Sequence, residues 1–223
     1  DAYKPLNYLT ETITGLKEEK RVIRRAPKFA PAGQSTQMVI GASPEADLDI
    51  LSLADSLYKD QKLKRVYYSG YVPISDDSRL PVLKSPPVQR ENRLYQADWL
   101  MRFYGFDRQE IVNANNPNLD LEIDPKLSYA LRNPALFPVN VNTAPREVLL
   151  RIPGVGVKGV DRIIKARKFG SLRKENLRKI GIVWKRAKFF IKTADRDHLE
   201  LDWQPGSLRK RILWEQQPKG ANQ

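Results

Sequence analysis

Apolar positions divide this chain into a first half in which short apolar runs alternate with helical stripes, and a second half that is helical and repeats itself. Residues 24–37, rich in Pro, Gly and small polar side chains, predict a loop. Met38-Val39-Ile40-Gly41 follows as a short buried strand. Ser43 has the place of a helix N-cap, with Pro44 at the first helical position and Glu45 and Asp47 in the first turn. Leu48, Leu51, Ala54, Leu57 and Tyr58 then recur at helical spacing, and residues 63–69 predict a second strand. Strand, helix and strand within about 33 residues make a βαβ unit with a parallel sheet. Two strands bury too little to stand alone, so a larger α/β domain is expected around them.

A Pro-rich connection at 72–90 (Pro73, Pro81, Pro86, Pro87) leads into a helix at 90–106. Leu94, Ala97, Leu100, Met101 and Tyr104 share one of its faces, while Arg90, Glu91, Arg93, Asp98 and Arg102 fall largely elsewhere. The aromatics Tyr95, Trp99, Phe103 and Tyr104, at helical spacing, are expected in the core rather than stacked on bases. Asp120, Glu122 and Asp124 are expected to form a solvated turn before Pro125.

Between 141 and 191 the pattern becomes more specific. Thr143 is placed as an N-cap with Pro145 in the first turn, and Val148, Leu149 and Ile152 form an apolar stripe. Pro153-Gly154-Val155-Gly156 interrupts it, and Val160, Ile163 and Ile164 mark a second helix that runs out in Ala166-Arg167-Lys168. The same pattern returns 27 residues on: Leu150 maps to Leu177, Gly154 to Gly181, Val155 to Ile182, Lys158 to Lys185, Val160 to Ala187, and Ile163-Ile164 to Phe190-Ile191. One helical hairpin has little interior, whereas two related by a pseudo-twofold can bury their apolar faces on each other. A glycine-rich turn ahead of a helix start also exposes N–H groups at the positive end of the helix dipole, which is a site for phosphate. Candidate contacts are therefore Gly154, Val155, Gly156, Lys158, Arg162 and Lys165 in the first copy, and Gly181, Lys185, Arg186 and Lys188 in the second. Such contacts read the backbone and not the bases, so binding is expected to be independent of sequence.

Charge strengthens that expectation. In 223 residues, 39 Lys and Arg face 26 Asp and Glu, a formal +13, and the isoelectric point is near 9.9. An excess of that size favours a polyanionic partner. No apolar run approaches the roughly 20 residues that span a bilayer, so no membrane placement is expected. Zero cysteines exclude disulfides and thiolate-held metal or iron–sulfur groups in these residues. With no secretory leader pattern, a cytoplasmic location is expected, and a start at Asp1 without methionine suggests a portion of a longer protein. His198, the only histidine, falls in a polar segment at 194–200 and is expected to face solvent. The tail at 206–223 carries Arg209-Lys210-Arg211 beside Ile212-Leu213-Trp214, predicting either a short docking helix or an arm with phosphate contacts.

The turn, the repeat and Val141-Asn142-Thr143-Ala144 resemble the helix-hairpin-helix motif of DNA repair and competence proteins. Two positions depart from it: Val160 stands where a small residue is usual, and Gly181-Ile182-Val183 lacks the second glycine. A wider resemblance rests on residues 32–42 (Ala-Gly-Gln-Ser-Thr-Gln-Met-Val-Ile-Gly-Ala), on Arg65-Val66-Tyr67-Tyr68-Ser69 and on Arg93-Leu94-Tyr95-Gln96-Ala97-Asp98-Trp99-Leu100. These are similar to the bacterial family of putative DNA modification or repair radical-SAM proteins. That likeness implies an α/β fragment, the last βα units of a radical-SAM-type partial barrel, followed by an all-α tandem helix-hairpin-helix domain. It divides the chain into a barrel portion at 1–88, a helical linker at 89–137, the hairpins at 138–193 and a basic tail at 194–223. It places Gly41, Ser43, Ser69 and Tyr71 near S-adenosylmethionine, and the cysteines of a [4Fe–4S] cluster upstream of Asp1. These residues alone would then hold no cofactor and be inactive, and they would deliver an enzyme to duplex DNA. Two alternatives stand beside this: a non-catalytic scaffold for a protein partner such as a uracil-DNA-glycosylase-like subunit, and RNA modification.

Overall fold

A computed structural model describes residues 3–23, 25, 29–73, 81, 87–195 and 205–216. His198, Pro86 and most of the Pro-rich connection lie outside these residues. The chain folds into two compact units: 1–98 with 112–119, and 99–111 with 120–223. The stretch expected as a linker at 89–137 contributes to both.

In the first unit, helix α1 (Tyr3–Val22) precedes strand β1 (Ser35–Ile40), helix α2 (Asp47–Lys59) and strand β2 (Arg65–Gly70), and helix α3 (Val88–Tyr104) begins. The βαβ expectation holds, with β1 and β2 paired in parallel from Ser35↔Arg65 to Ile40↔Gly70. Strand β1 starts earlier than its apolar run and leaves Gly41 outside. It alternates exposed and covered positions, with only Ile40 fully buried, so it is a one-faced strand and not a buried one. Ser43 is exposed and caps nothing; α2 begins at Asp47. The start is set instead by Asp49, whose carboxylate accepts the Ala46 N–H at 3.0 Å. Asp47 is turned inward, accepting the Leu119 N–H at 2.8 Å and pairing with Arg90 at 2.6 Å.

The outer edge of β2 explains how a two-stranded sheet persists here. Its N–H groups at Val66, Tyr68 and Gly70 donate to the Tyr58 hydroxyl (3.0 Å), the Tyr95 hydroxyl (3.0 Å) and the Glu91 carboxylate (2.8 Å). Side chains from α2 and α3 thus replace a neighbouring strand. Asp98, assigned by periodicity to the polar side of α3, is 3% exposed and accepts from the Tyr58 and Tyr68 hydroxyls at 2.6 and 3.3 Å. The core expectation fails for two aromatics: Trp99 and Phe103 are exposed and stack on each other with ring centroids 4.4 Å apart.

The second unit adds helices α4 (Arg108–Ile111) and α5 (Pro125–Arg132), strand β3 (Val139–Asn140), and helices α6 (Arg146–Arg151), α7 (Val157–Ala166), α8 (Lys174–Lys179) and α9 (Trp184–Ala187). Strand β4 (Ile191–Lys192) and helix α10 (Pro205–Gln216) complete it. It is not all helical, because Val139↔Ile191 and Asn140↔Lys192 form a short parallel pair. That pairing joins the chain entering the first hairpin to the chain leaving the second. The repeat equivalents are buried together: Leu150 and Leu177, Val155 and Ile182, Val160 and Ala187, Ile163 and Phe190.

The acidic segment is not a solvated turn. Asp124 caps α5 by accepting the Leu127 N–H at 3.2 Å, and it pairs with Arg186. Asp120 and Glu122 both pair with Arg209 of α10, whose Leu208 and Ile212 are buried. The described part of the tail, 205–216, is therefore a docked helix, although Lys210 and Arg211 remain exposed.

Candidate nucleic-acid interface

The first hairpin is built by residue types that stop one helix and start another. Pro153 cannot continue α6 with a backbone donor, and Gly154 takes φ +81°, a conformation costly for side chains. Val155 is buried and its N–H donates to the Ile152 carbonyl at 3.2 Å, which closes the turn. Gly156 is the N-cap of α7. Upstream, Thr143 is exposed and Pro145, not Thr143, holds the cap position of α6. The Asn140 carbonyl accepts the Thr143 and Ala144 N–H groups there, at 3.3 and 2.9 Å.

Among the described residues, no acceptor faces the backbone N–H groups of Gly156, Val157 and Lys158. They head a ten-residue helix with no side-chain cap, so the orphan donors of a helix start are presented at the turn. The side chains of Lys158 and Lys165 are exposed and make no hydrogen bond or ion pair within the described residues. Arg162 is otherwise engaged, since its Nη1 donates to the Ile180 carbonyl at 2.9 Å and braces the second hairpin.

The second hairpin differs at the matching atoms. Val183, the equivalent of Gly156, donates its N–H to the Gly154 carbonyl at 3.0 Å. Its helix, α9, has four residues where α7 has ten. The sequence equivalents Phe190 and Ile191 fall beyond that helix, at β4. Lys185 is exposed, Lys188 pairs with Glu215 at 2.7 Å, and Arg186 pairs with Asp124. Gly181 has φ +81° like Gly154, but an added Cβ would meet only the Arg162 Nη1 at 3.0 Å. At Gly154 it would meet the Val183 carbonyl oxygen at 2.8 Å and the Ala187 nitrogen at 3.1 Å, both backbone atoms. Gly156 is unlike either. Its φ of −93° suits any residue, and an added Cβ would point at the Tyr104 hydroxyl, 3.4 Å away. The backbone at Gly156 therefore accepts a side chain, unlike that at Gly154 or Gly181.

Sequence reasoning missed Lys126. It is 8% exposed, its Nζ donates to the Val155 carbonyl at 2.6 Å and it sits 4.6 Å from the Tyr104 ring centroid. Burial pushes its ammonium down to about 7 against the opposing pull of Asp124, with the positive charges of Arg186 and Arg151 adding to the drop. A lysine second in a helix after Asp-Pro carries no sequence mark of such a role, because its acceptor lies 29 residues away. Phe169 was also overlooked: it is 92% exposed between Lys168 and Gly170.

Gly41, Ser43, Ser69 and Tyr71 fall at the C-terminal ends of the parallel strands or just beyond. The Tyr71 N–H donates to the Ile40 carbonyl at 2.8 Å, and Gly41 has φ +86°. The Ser69 hydroxyl accepts from Gln37 Nε2 at 2.7 Å, while the Tyr71 hydroxyl is buried without a partner among the described residues. With no thiol in the chain, these residues do not fit an iron–sulfur cluster. No described group of His, Asp or Glu side chains could hold a metal ion, and no described helix is long and apolar enough to cross a membrane. Comparison with protein-family models, with curated proteins and with solved structures returns no match.

Proposed function

We propose that this chain binds duplex DNA without sequence preference, seating a backbone phosphate at the first hairpin. The observation that carries this reading is the set of N–H groups at Gly156, Val157 and Lys158, unpartnered among the described residues, at the start of a full helix and beside an exposed lysine. Phosphate gains from the donors, the helix dipole and the ammonium together. The second hairpin is a brace in this reading, since its matching N–H is engaged by Gly154. Its exposed Val183 favours a second use, contact with a protein partner.

The larger setting we propose is the C-terminal portion of a radical-SAM DNA modification or repair protein. The sheet edges support it. The β2 edge is closed by Tyr58, Tyr95 and Glu91, whereas among the described residues the backbone of β1 is hydrogen-bonded only by β2 and by Tyr71, the residue that follows β2. Further strands would join at β1.

The test is fluorescence anisotropy of a labelled duplex titrated with the chain over a range of salt. Log affinity is expected to fall linearly with log salt, by about 0.9 for each phosphate neutralised. Salt-independent binding, or strong preference for one duplex sequence, overturns the reading.

A further inference from the structure

Between residues 162 and 194 the chain carries twelve Lys and Arg against one carboxylate, Glu175. In the middle of that run stands Phe169, the most exposed of the large apolar side chains among the described residues. The ring is not at the end of a loose loop. Just before it, Arg167 Nη1 donates to the Val141 and Ala144 carbonyls at 3.2 and 2.6 Å. Just after it, the Leu172 N–H donates to Asn142 Oδ1 at 2.7 Å, and the Leu172 carbonyl accepts the Ala194 N–H at 3.0 Å. Gly170, at φ +152°, turns the chain between these anchors. A fixed backbone therefore holds an aromatic face out in water, at a cost that contact with a ligand would remove.

Beside the ring lies an open depression of about 430 Å³ with Ala166, Leu172 and Ile180 in its lining and Asn176 and Lys179 among its polar residues. Asn176 Oδ1 accepts the Arg173 N–H at 2.8 Å, which leaves its amide Nδ2 as a donor. Lys168, Arg173 and Lys179 are exposed around it. A flat aromatic surface, an apolar floor, one amide donor and surrounding cations match a nucleobase with its flanking phosphates.

We infer that Phe169 stacks on an unpaired nucleotide, so that this unit recognises a junction between duplex and single strand. The inference rests on the duplex reading above for the placement of the paired part. Helix α7 separates the two contacts: ten residues at 1.5 Å each give about 15 Å, or roughly four to five base pairs at 3.4 Å. One protomer would then hold a phosphate at the turn and a base at the far end of the same helix.

The experiment uses the whole chain, Phe169→Ala and Phe169→Trp, with two labelled probes: a blunt duplex, and the same duplex with a short thymidine overhang. The parent is expected to bind the overhang probe about tenfold more tightly than the blunt one. Phe169→Ala should abolish that preference while leaving blunt-duplex affinity within about twofold, and Phe169→Trp should retain it. A parent without preference, an alanine variant that keeps it, or equal losses on both probes overturns the inference. If the overhang probe alone binds, and Phe169→Ala abolishes it, stacking at Phe169 stands while the duplex reading, and with it the junction, falls. If the parent binds neither probe, both fall.

Discussion

The two hairpins share a sequence pattern, a left-handed glycine and a set of buried apolar positions, yet they end in different states. In the first, the turn leads into ten helical residues and leaves its leading N–H groups without acceptors among the described residues. In the second, Val183 replaces the second glycine, its N–H is bound to the Gly154 carbonyl, and the helix stops after four residues so that the chain can pair with β3. One repeated pattern thus leaves donors open at the first turn and uses the matching donor of the second as support. The cations follow the same division. The side chains of Lys158 and Lys165 are exposed without partners among the described residues, while Arg162, Arg186 and Lys188 are engaged in holding the repeat together.

The largest effect expected from breaking this asymmetry is at Gly154. Gly154→Ala forces a side chain into a left-handed conformation and against two backbone atoms of the other hairpin. The combined cost should be roughly 3 kcal/mol in chemical denaturation. Gly181→Ala meets only the movable end of Arg162 and should cost about 1–2 kcal/mol. Equal losses at the two glycines would show that the hairpins are interchangeable after all.

Binding should divide in the same direction. Lys158→Ala is expected to reduce the slope of log affinity against log salt by about one unit, while Lys185→Ala leaves it unchanged. A matching loss at Lys185 in the same titration would make the second hairpin a phosphate contact of equal standing.

The buried amine under the first turn gives a pH signature. The Lys126 ammonium is pushed from 10.5 to about 7 in the folded chain. Between those values the unfolded chain holds a proton that the folded chain lacks, so this group makes stability rise with pH through that window. Lys126→Met should flatten the rise when melting temperature is followed from pH 7 to 10. An unchanged profile would place the ammonium in water. The smallest effect is expected at Gly156→Ala, which fits its backbone and should shift stability by no more than about 0.5 kcal/mol. A large loss there would mean that the contact with Tyr104 is tighter than the geometry indicates.

Local pattern carried far into this molecule. Helical spacing located α2, α3, α6 and α7, strand and helix lengths implied the parallel βαβ pair, and the 27-residue repeat identified the hairpins and their glycines. Helix starts were misplaced at Ser43 and Thr143, where residue type suggested a cap and the backbone found other acceptors. Periodicity puts Asp98 off the apolar face of α3, but two tyrosine hydroxyls from 30 and 40 residues away make its burial tolerable. The same holds for the acidic segment, whose arginine partners lie 62 and 89 residues along the chain.

Taken by itself, the sequence determined where the chain turns, which faces are apolar, that the hairpin repeats and that the surface is strongly basic. Each of these is set within a few residues, by backbone preference, spacing or count. Only the tertiary structure decided which polar groups are used up internally: Val183 on Gly154, Arg162 on Ile180, Lys126 on Val155, Arg186 on Asp124. The physical reason is that a hydrogen bond is satisfied by proximity in space, and two repeats with the same local pattern cannot both occupy the same side of the contact between them.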